Sequence, residues 1–208
     1  MTLVLASTSP RRYQILSLLG LPFLMVPPAS REVLSGARPP AQEALHQARQ
    51  KAASLVSRFP DAVILGSDTL INLDGRLIGK ASSLDDARAI LQRLRARTHD
   101  VVTAVSILYQ SKTVDAVETV RVAMRDFTDT ELDAYLATGD PLDKAGSYAI
   151  QGAGRDLVAS IEGDYLAVVG LPLKAVAEGL AKLCCPVVVD VDRLYRERRF
   201  LNWQAFNS

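Results

Sequence analysis

The chain has 208 residues, 49% of them hydrophobic, and a formal net charge of +1. That is long enough for one domain with a sizeable core and too apolar for a disordered chain. A near-neutral balance leaves no global field to hold DNA, RNA or a membrane surface, so anion binding has to come from local clusters. The two cysteines, Cys184 and Cys185, are adjacent, which excludes a disulfide framework and a cysteine zinc site. No basic segment precedes the short apolar start, and no apolar run reaches bilayer length. The expectation is a soluble, unexported, cytoplasmic protein.

Thr2 to Ala6 reads as a buried strand. Ser9 caps a helix with Pro10 at its first position, and Ile15, Leu16, Leu18 and Leu19 form its apolar face. Gly20 and Pro22 end it, and Phe23 to Val26 is a second strand. After a proline-bearing loop, a helix is predicted over Ala41 to Arg58, then a strong strand over Ala62 to Leu73. Asp74-Gly75 is a hairpin signal, with Arg76 to Ile78 as the return strand. Ser83 caps a helix over Leu84 to Leu94. Val101 to Tyr109 and Thr113 to Met124 alternate as two long antiparallel strands. Thr128 and Glu131 form a capping-box pattern. Pro141 to Gly154 reads as a functional loop rather than core, Leu157 to Ile161 as a short strand, and Leu173 to Leu183 as an amphipathic helix. Residues 1–185 are expected to form one α/β domain on a mixed sheet. Residues 186–208 form an arginine- and aromatic-bearing tail, expected to be helical and packed on the domain or on a dimer mate.

Four segments carry candidate chemistry. Ser7-Thr8-Ser9-Pro10-Arg11-Arg12 puts hydroxyls and two arginines where a strand runs into a helix N-terminus. Free N–H groups and guanidinium forks there suit a phosphate, although the hexapeptide alone reads more readily as an ordinary cap with solvated arginines. Gly66-Ser67-Asp68-Thr69 places an aspartate inside an apolar strand. A buried carboxylate is costly, so Asp68 needs a cation, a metal or dense hydrogen bonding beside it. Lys80 follows the hairpin and reads alone as a surface lysine. Asp143 to Gly152 combines glycines, which permit close backbone approach, with Gln151, whose amide can read a base edge. Glu32 and Lys51 are unremarkable by themselves. His46, on a helix surface, and His99, before a strand, have no nucleophile motif near them, which argues against a histidine triad or histidine-rich metal site.

Taken in order, S-T-S-P-R-R, G-S-D-T, G-K, T-H-D-V-V-T-A-V and D-K-A-G-S-Y-A-I-Q-G resemble the Maf family of nucleotide pyrophosphatases, as does Gly163 to Leu173. The resemblance spans residues 3 to 180. It implies an elongated mixed β-sheet flanked by helices, with a cleft between two lobes, similar to inosine triphosphate pyrophosphatases. It assigns the catalytic aspartate to Asp68. The phosphate and metal region falls on Ser7, Arg11, Arg12, Glu32, Lys51 and Lys80, and the subfamily-determining positions on Arg12, Thr69 and Gln151. Asp68-Thr69 and Gln151-Gly152 look like the branch acting on dTTP and UTP. Two departures stand out. Ala81 replaces a usual proline after Lys80, which predicts a less rigid loop, and Arg31-Glu32 replaces an acidic pair, which predicts weaker metal binding or a shifted substrate preference.

The implied mechanism is metal-dependent. Mg²⁺ or Mn²⁺ is expected on Glu32, Asp68 and the substrate phosphates. Arg11, Arg12, Lys51 and Lys80 neutralise phosphate charge, Asp68 prepares the attacking water, and Gln151 reads the uracil or thymine edge. A homodimer is an expectation of the resemblance alone. The rivals are a pyrophosphatase for another modified nucleotide, and a nucleotide-binding regulator of cell division whose tail, with Tyr195, Phe200, Trp203 and Phe206, binds a partner.

Overall fold

The computed structural model describes residues 2–30, 37–183 and 185–206. Among them seven strands form one mixed sheet: β1 (Leu3–Ala6), β2 (Phe23–Val26), β3 (Val63–Leu73), β4 (Arg76–Ile78), β5 (Thr98–Tyr109), β6 (Lys112–Met124) and β7 (Val158–Glu162). Their order is β2-β1-β3-β5-β6-β7, with β4 hydrogen-bonded to β3. The first three are parallel and the remaining pairs antiparallel. Helices α1 (Pro10–Ser17), α2 (Pro40–Ala53), α3 (Leu84–Leu94), α4 (Asp129–Leu136), α5 (Tyr165–Val169), α6 (Leu173–Lys182) and α7 (Val191–Glu197) surround it. The mixed α/β class expected from the sequence is therefore observed.

Every residue of β1 is buried, as a strand covered on both faces requires. Its side chains alternate between two cores. Leu3 and Leu5 pack with Ile15 and Leu16 of α1, whereas Val4 and Ala6 pack with Ala52 of α2. The helices thus cover opposite faces, and the chain reverses winding direction at β1, between β2 and β3. Ligands of open α/β sheets collect at the carboxyl ends of strands at such a switch point.

The helix α2 lies unusually close to β3. A Cβ added to Gly66 would stand 2.2 Å from the Ala48 carbonyl oxygen and 2.8 Å from the Ala52 nitrogen. Only glycine permits that approach. One stripe of α2, spaced at helical intervals, consists of Glu43, Gln47 and Lys51, all buried.

Local signals mostly form as expected. Ser9 accepts from the Arg12 amide, Ser83 from the Asp86 amide, and Thr128 with Glu131 completes the capping box. Asp74 and Gly75 both take positive φ, as the β3–β4 hairpin demands. Three readings need correction. The helix predicted to Arg58 ends at Ala53 and continues as turns. His99 lies within β5 rather than before a strand, and is only 3% exposed. The loop 141–154 belongs partly to the core, since Tyr148, Ile150 and Ser147 are buried. The loop after the hairpin is tied without a proline: Gly146 N–H donates to the Gly79 carbonyl at 3.1 Å, and Lys80 bridges Ala145.

The tail packs on its own domain. The helix α7 is followed by a 3₁₀ turn at Trp203–Ala205, with Trp203 and Phe206 buried against Tyr165.

Candidate active site

A cavity of about 510 Å³ opens where β1 ends and β3 continues past it. Eight of the sequence-predicted residues line it: Ser7, Arg11, Arg12, Lys51, Asp68, Thr69, Lys80 and Gln151. The ninth, Glu32, lies outside the described residues, as does Arg31. Among the described lining residues, Lys144 brings the cationic side chains to five, against the single carboxylate of Asp68. Such an imbalance in a partly buried cleft attracts an anion. The volume falls within the usual range for small-ligand pockets.

Strand alternation divides the Gly66–Thr69 motif between the two faces of the sheet. Asp68 faces α2. Its Oδ1 accepts from Lys51 Nζ at 2.5 Å, with the two side chains 8% and 5% exposed. The compensating partner required of a buried strand aspartate therefore includes Lys51, which reaches it because α2 approaches so closely at Gly66. Lys51 Nζ also lies 3.5 Å from the Ser67 carbonyl oxygen.

Ser67 and Thr69 face the opposite side, toward α1 and α5. Ser67 donates to the Gly170 carbonyl at 3.1 Å, and Arg12 Nε donates to the same oxygen at 2.9 Å. A second Arg12 nitrogen donates to Thr69 Oγ1 at 3.1 Å. Thr103 on β5 lies 3.0 Å from that hydroxyl and donates to the Ala167 carbonyl at 2.7 Å. The C-terminal carbonyls of α5 thus anchor the β3 motif and the Arg12 guanidinium together. Gly170 has φ 129°, and Arg12 passes close to it.

The far wall comes from loop 144–151. Lys144 Nζ donates to the Asp140 carbonyl at 2.5 Å. The Tyr148 hydroxyl lies 2.7 Å from His99 Nε2. Burial lowers the His99 pKa to about 4 and pushes the Tyr148 hydroxyl upward, so both groups are neutral near pH 7. Gln151 is 9% exposed, and its Nε2 is buried with no hydrogen-bond partner among the described residues. An amide nitrogen held this way costs about 1–3 kcal/mol unless a ligand satisfies it.

Sequence reasoning missed Gln47, Lys144 and Tyr148 as lining residues. Gln47 precedes Lys51 by one helical turn, a spacing that would have flagged it. Lys144 and Tyr148 stood inside a quoted motif but were given no role.

A divalent cation fits these groups. Hard ions such as Mg²⁺ use one or two carboxylates and draw further oxygens from substrate phosphates. Asp68 offers such an oxygen in an anion-attracting cleft. Among the described residues no cluster of three or more His, Cys, Asp or Glu forms an all-protein metal cage.

Fold and cleft together define an α/β protein with a cationic ligand pocket at its switch point. The chain belongs to the Maf family, whose model, described as Maf-like protein, matches residues 2–183. It is 40% identical over 178 residues to a Bacillus cereus protein named dTTP/UTP pyrophosphatase, covering 86% of this chain and 88% of that one. A Bacillus anthracis protein of the same name is also 40% identical, with 86% and 93% coverage. Among solved structures, the Staphylococcus aureus Ham1 protein aligns with 15% identity and a TM-score of 0.46, covering 77% of this chain and 81% of that one. No described helix is long and apolar enough to cross a membrane.

Proposed function

We propose that this chain is a nucleoside triphosphate pyrophosphatase that converts dTTP and UTP to the monophosphate and pyrophosphate. The name of its Bacillus relatives supports the reaction. The observation that carries it here is the Asp68 carboxylate set among five cationic side chains, with no second carboxylate among the described lining residues. Substrate phosphates draw Lys51 partly away from Asp68 and engage Arg11, Arg12 and Lys80, which offset the charge on the departing pyrophosphate. Asp68 orients a water toward the α-phosphorus and accepts its proton. A new P–O bond forms as the bond to the bridging oxygen breaks, and pyrophosphate leaves. Ser7 and the α1 N-terminus, with Ser9 as cap, offer N–H and hydroxyl donors to a phosphate. Asp68, with Glu32, would hold Mg²⁺ or Mn²⁺. When bound, that ion lowers the pKa of water and shields phosphate charge.

The Gln151 amide supports the pyrimidine preference. It offers an N–H and a carbonyl in one plane, matching the O4 and N3–H edge of uracil and thymine. A site whose buried polar group goes unpaired with the wrong base discriminates strongly.

The test is pyrophosphate release across the common and several modified triphosphates, with Mg²⁺, Mn²⁺ or chelator. UTP and dTTP should lead, and chelator should abolish turnover. Asp68→Asn should lower kcat about 10²- to 10⁴-fold, the usual scale for a lost general base, and Gln151→Glu should shift base preference. Near-wild-type turnover by Asp68→Asn would remove Asp68 from the chemistry. Nucleotide binding without turnover by the wild type would favour a regulatory role.

A further inference from the structure

The family match ends at residue 183, yet the segment beyond it contacts Gly152, the neighbour of the cleft residue Gln151, and Tyr165 of α5, which carries the cleft residues Val168 and Val169. Asn202 Oδ1 accepts from the Gly152 amide at 3.2 Å, one residue from Gln151. The neighbouring Leu201 carbonyl accepts from the Tyr165 hydroxyl at 2.5 Å. Trp203 stacks on Tyr165 with ring centroids 5.6 Å apart, and meets Tyr195 edge-on at 5.1 Å. The Tyr195 hydroxyl donates to Asp164, the N-cap of α5, at 2.8 Å. Phe206 packs on Tyr165, and the Arg155 guanidinium lies over its ring. The other end of α5 carries the Gly170 carbonyl that holds Arg12 and Ser67. One continuous set of contacts therefore runs from Gly152 through Asn202 and Tyr165 to Arg12.

We propose that the C-terminal tail is a positioning element for substrate recognition, with Asn202 fixing the Gln151–Gly152 backbone against α5. This rests on the proposed role of Gln151 in reading the base. Two features point beyond simple surface cover. Asn202 sits at φ 62°, a left-handed conformation that asparagine tolerates better than most residues. Its side-chain oxygen accepts from a backbone donor fifty residues away in the chain. Gly152 also has positive φ, 62°, so the turn presenting Gln151 departs from regular structure and depends on such contacts for its orientation. Among the described residues Gln151 has no hydrogen-bond partner at Nε2 to fix it. Its aim follows from the backbone that carries it.

Asn202→Gly and Asn202→Asp separate this role from bulk stabilisation. Glycine keeps the left-handed backbone and deletes the acceptor, while aspartate keeps an acceptor. Asn202→Gly should raise KM for UTP about three- to tenfold, the reach of one hydrogen bond, with kcat within about twofold of wild type. It should also narrow the preference for UTP over CTP. Asn202→Asp should restore both, and Trp203→Ala should reproduce the glycine effect. Unchanged KM and base ratio in Asn202→Gly would overturn the proposal, as would equal falls in kcat and kcat/KM tracking a lower melting temperature. Amide hydrogen exchange provides a readout independent of turnover. Gly152 should exchange faster in Asn202→Gly and recover in Asn202→Asp, and an unchanged rate would also overturn the proposal. If wild type turns over no triphosphate, the pyrophosphatase reading fails, and the positioning role is then decided by the Gly152 exchange rate.

Discussion

The contact at Gly66 makes a sharp demand on the fold. In Gly66→Ala the new methyl would lie 2.2 Å from the Ala48 carbonyl oxygen, and ordinary contact begins near 3.4 Å. The helix α2 would have to retreat by about 1 Å, and the obstacle is backbone, so no rotamer change relieves it. Lys51 rides on the same helix, 2.5 Å from Asp68. Overpacking usually costs about 1–3 kcal/mol and here should reach or exceed the upper end. A misplacement of about 1 Å at a reacting group can cost about 10²-fold in rate. Denaturant titration would measure the stability loss, and pyrophosphate release at saturating UTP the rate. Ala52→Gly in the same chain should give little rescue, because it leaves the Ala48 oxygen in place. A Gly66→Ala protein within 1 kcal/mol of wild-type stability, or with full activity, would refute the claim that this approach sets the Lys51–Asp68 geometry.

Two further outcomes are expected. Lys51→Met removes the ammonium from a buried carboxylate and should destabilise by about 3–5 kcal/mol, whereas Lys51→Met with Asp68→Asn should cost clearly less than the two single changes added; additive denaturation energies would break the pairing. His99 has its folded pKa depressed to about 4 by burial, so below about pH 6.5 the unfolded chain binds the proton that the folded chain refuses. Stability should therefore fall as pH drops from about 6.5 to 4, by up to about 3 kcal/mol. His99→Gln should flatten that part of the profile, and an unchanged profile would show that His99 does not control it.

The elements most legible in the sequence are those set by their own neighbours. Ser83, Thr128 with Glu131, and Asp74-Gly75 each satisfy backbone groups within a few residues, so local spacing predicts them. The cost of Asp68 was legible too, because a carboxylate in an apolar strand is anomalous wherever that strand goes. Its contact with Lys51 was not, since that depends on the register of α2 over Gly66. Gly170 was equally hidden as the anchor of Arg12, 158 residues away. His99 looked peripheral because the strand it joins begins at Thr98, three residues before the Val101 start that the alternation reveals. Glu43, Gln47 and Lys51 left a readable trace in their four-residue spacing, but Lys51 taken by itself looked unremarkable.

Net charge was the weakest guide to function, and the structure explains why. Many surface arginines sit beside carboxylates: Arg49 by Asp115, Arg88 by Asp133, Arg95 by Asp129, Arg97 by Asp74 and Arg121 by Glu162. Such exposed pairs contribute little to stability, but they cancel charge across the outer surface. The cleft breaks that pattern, with five cationic side chains and one carboxylate lining a single cavity among the described residues. A chain of net charge +1 can therefore concentrate positive potential where β1 ends without becoming a general polyanion binder. The same distribution should make substrate capture sensitive to ionic strength while leaving stability nearly indifferent to it, because the field that matters is confined to the cleft.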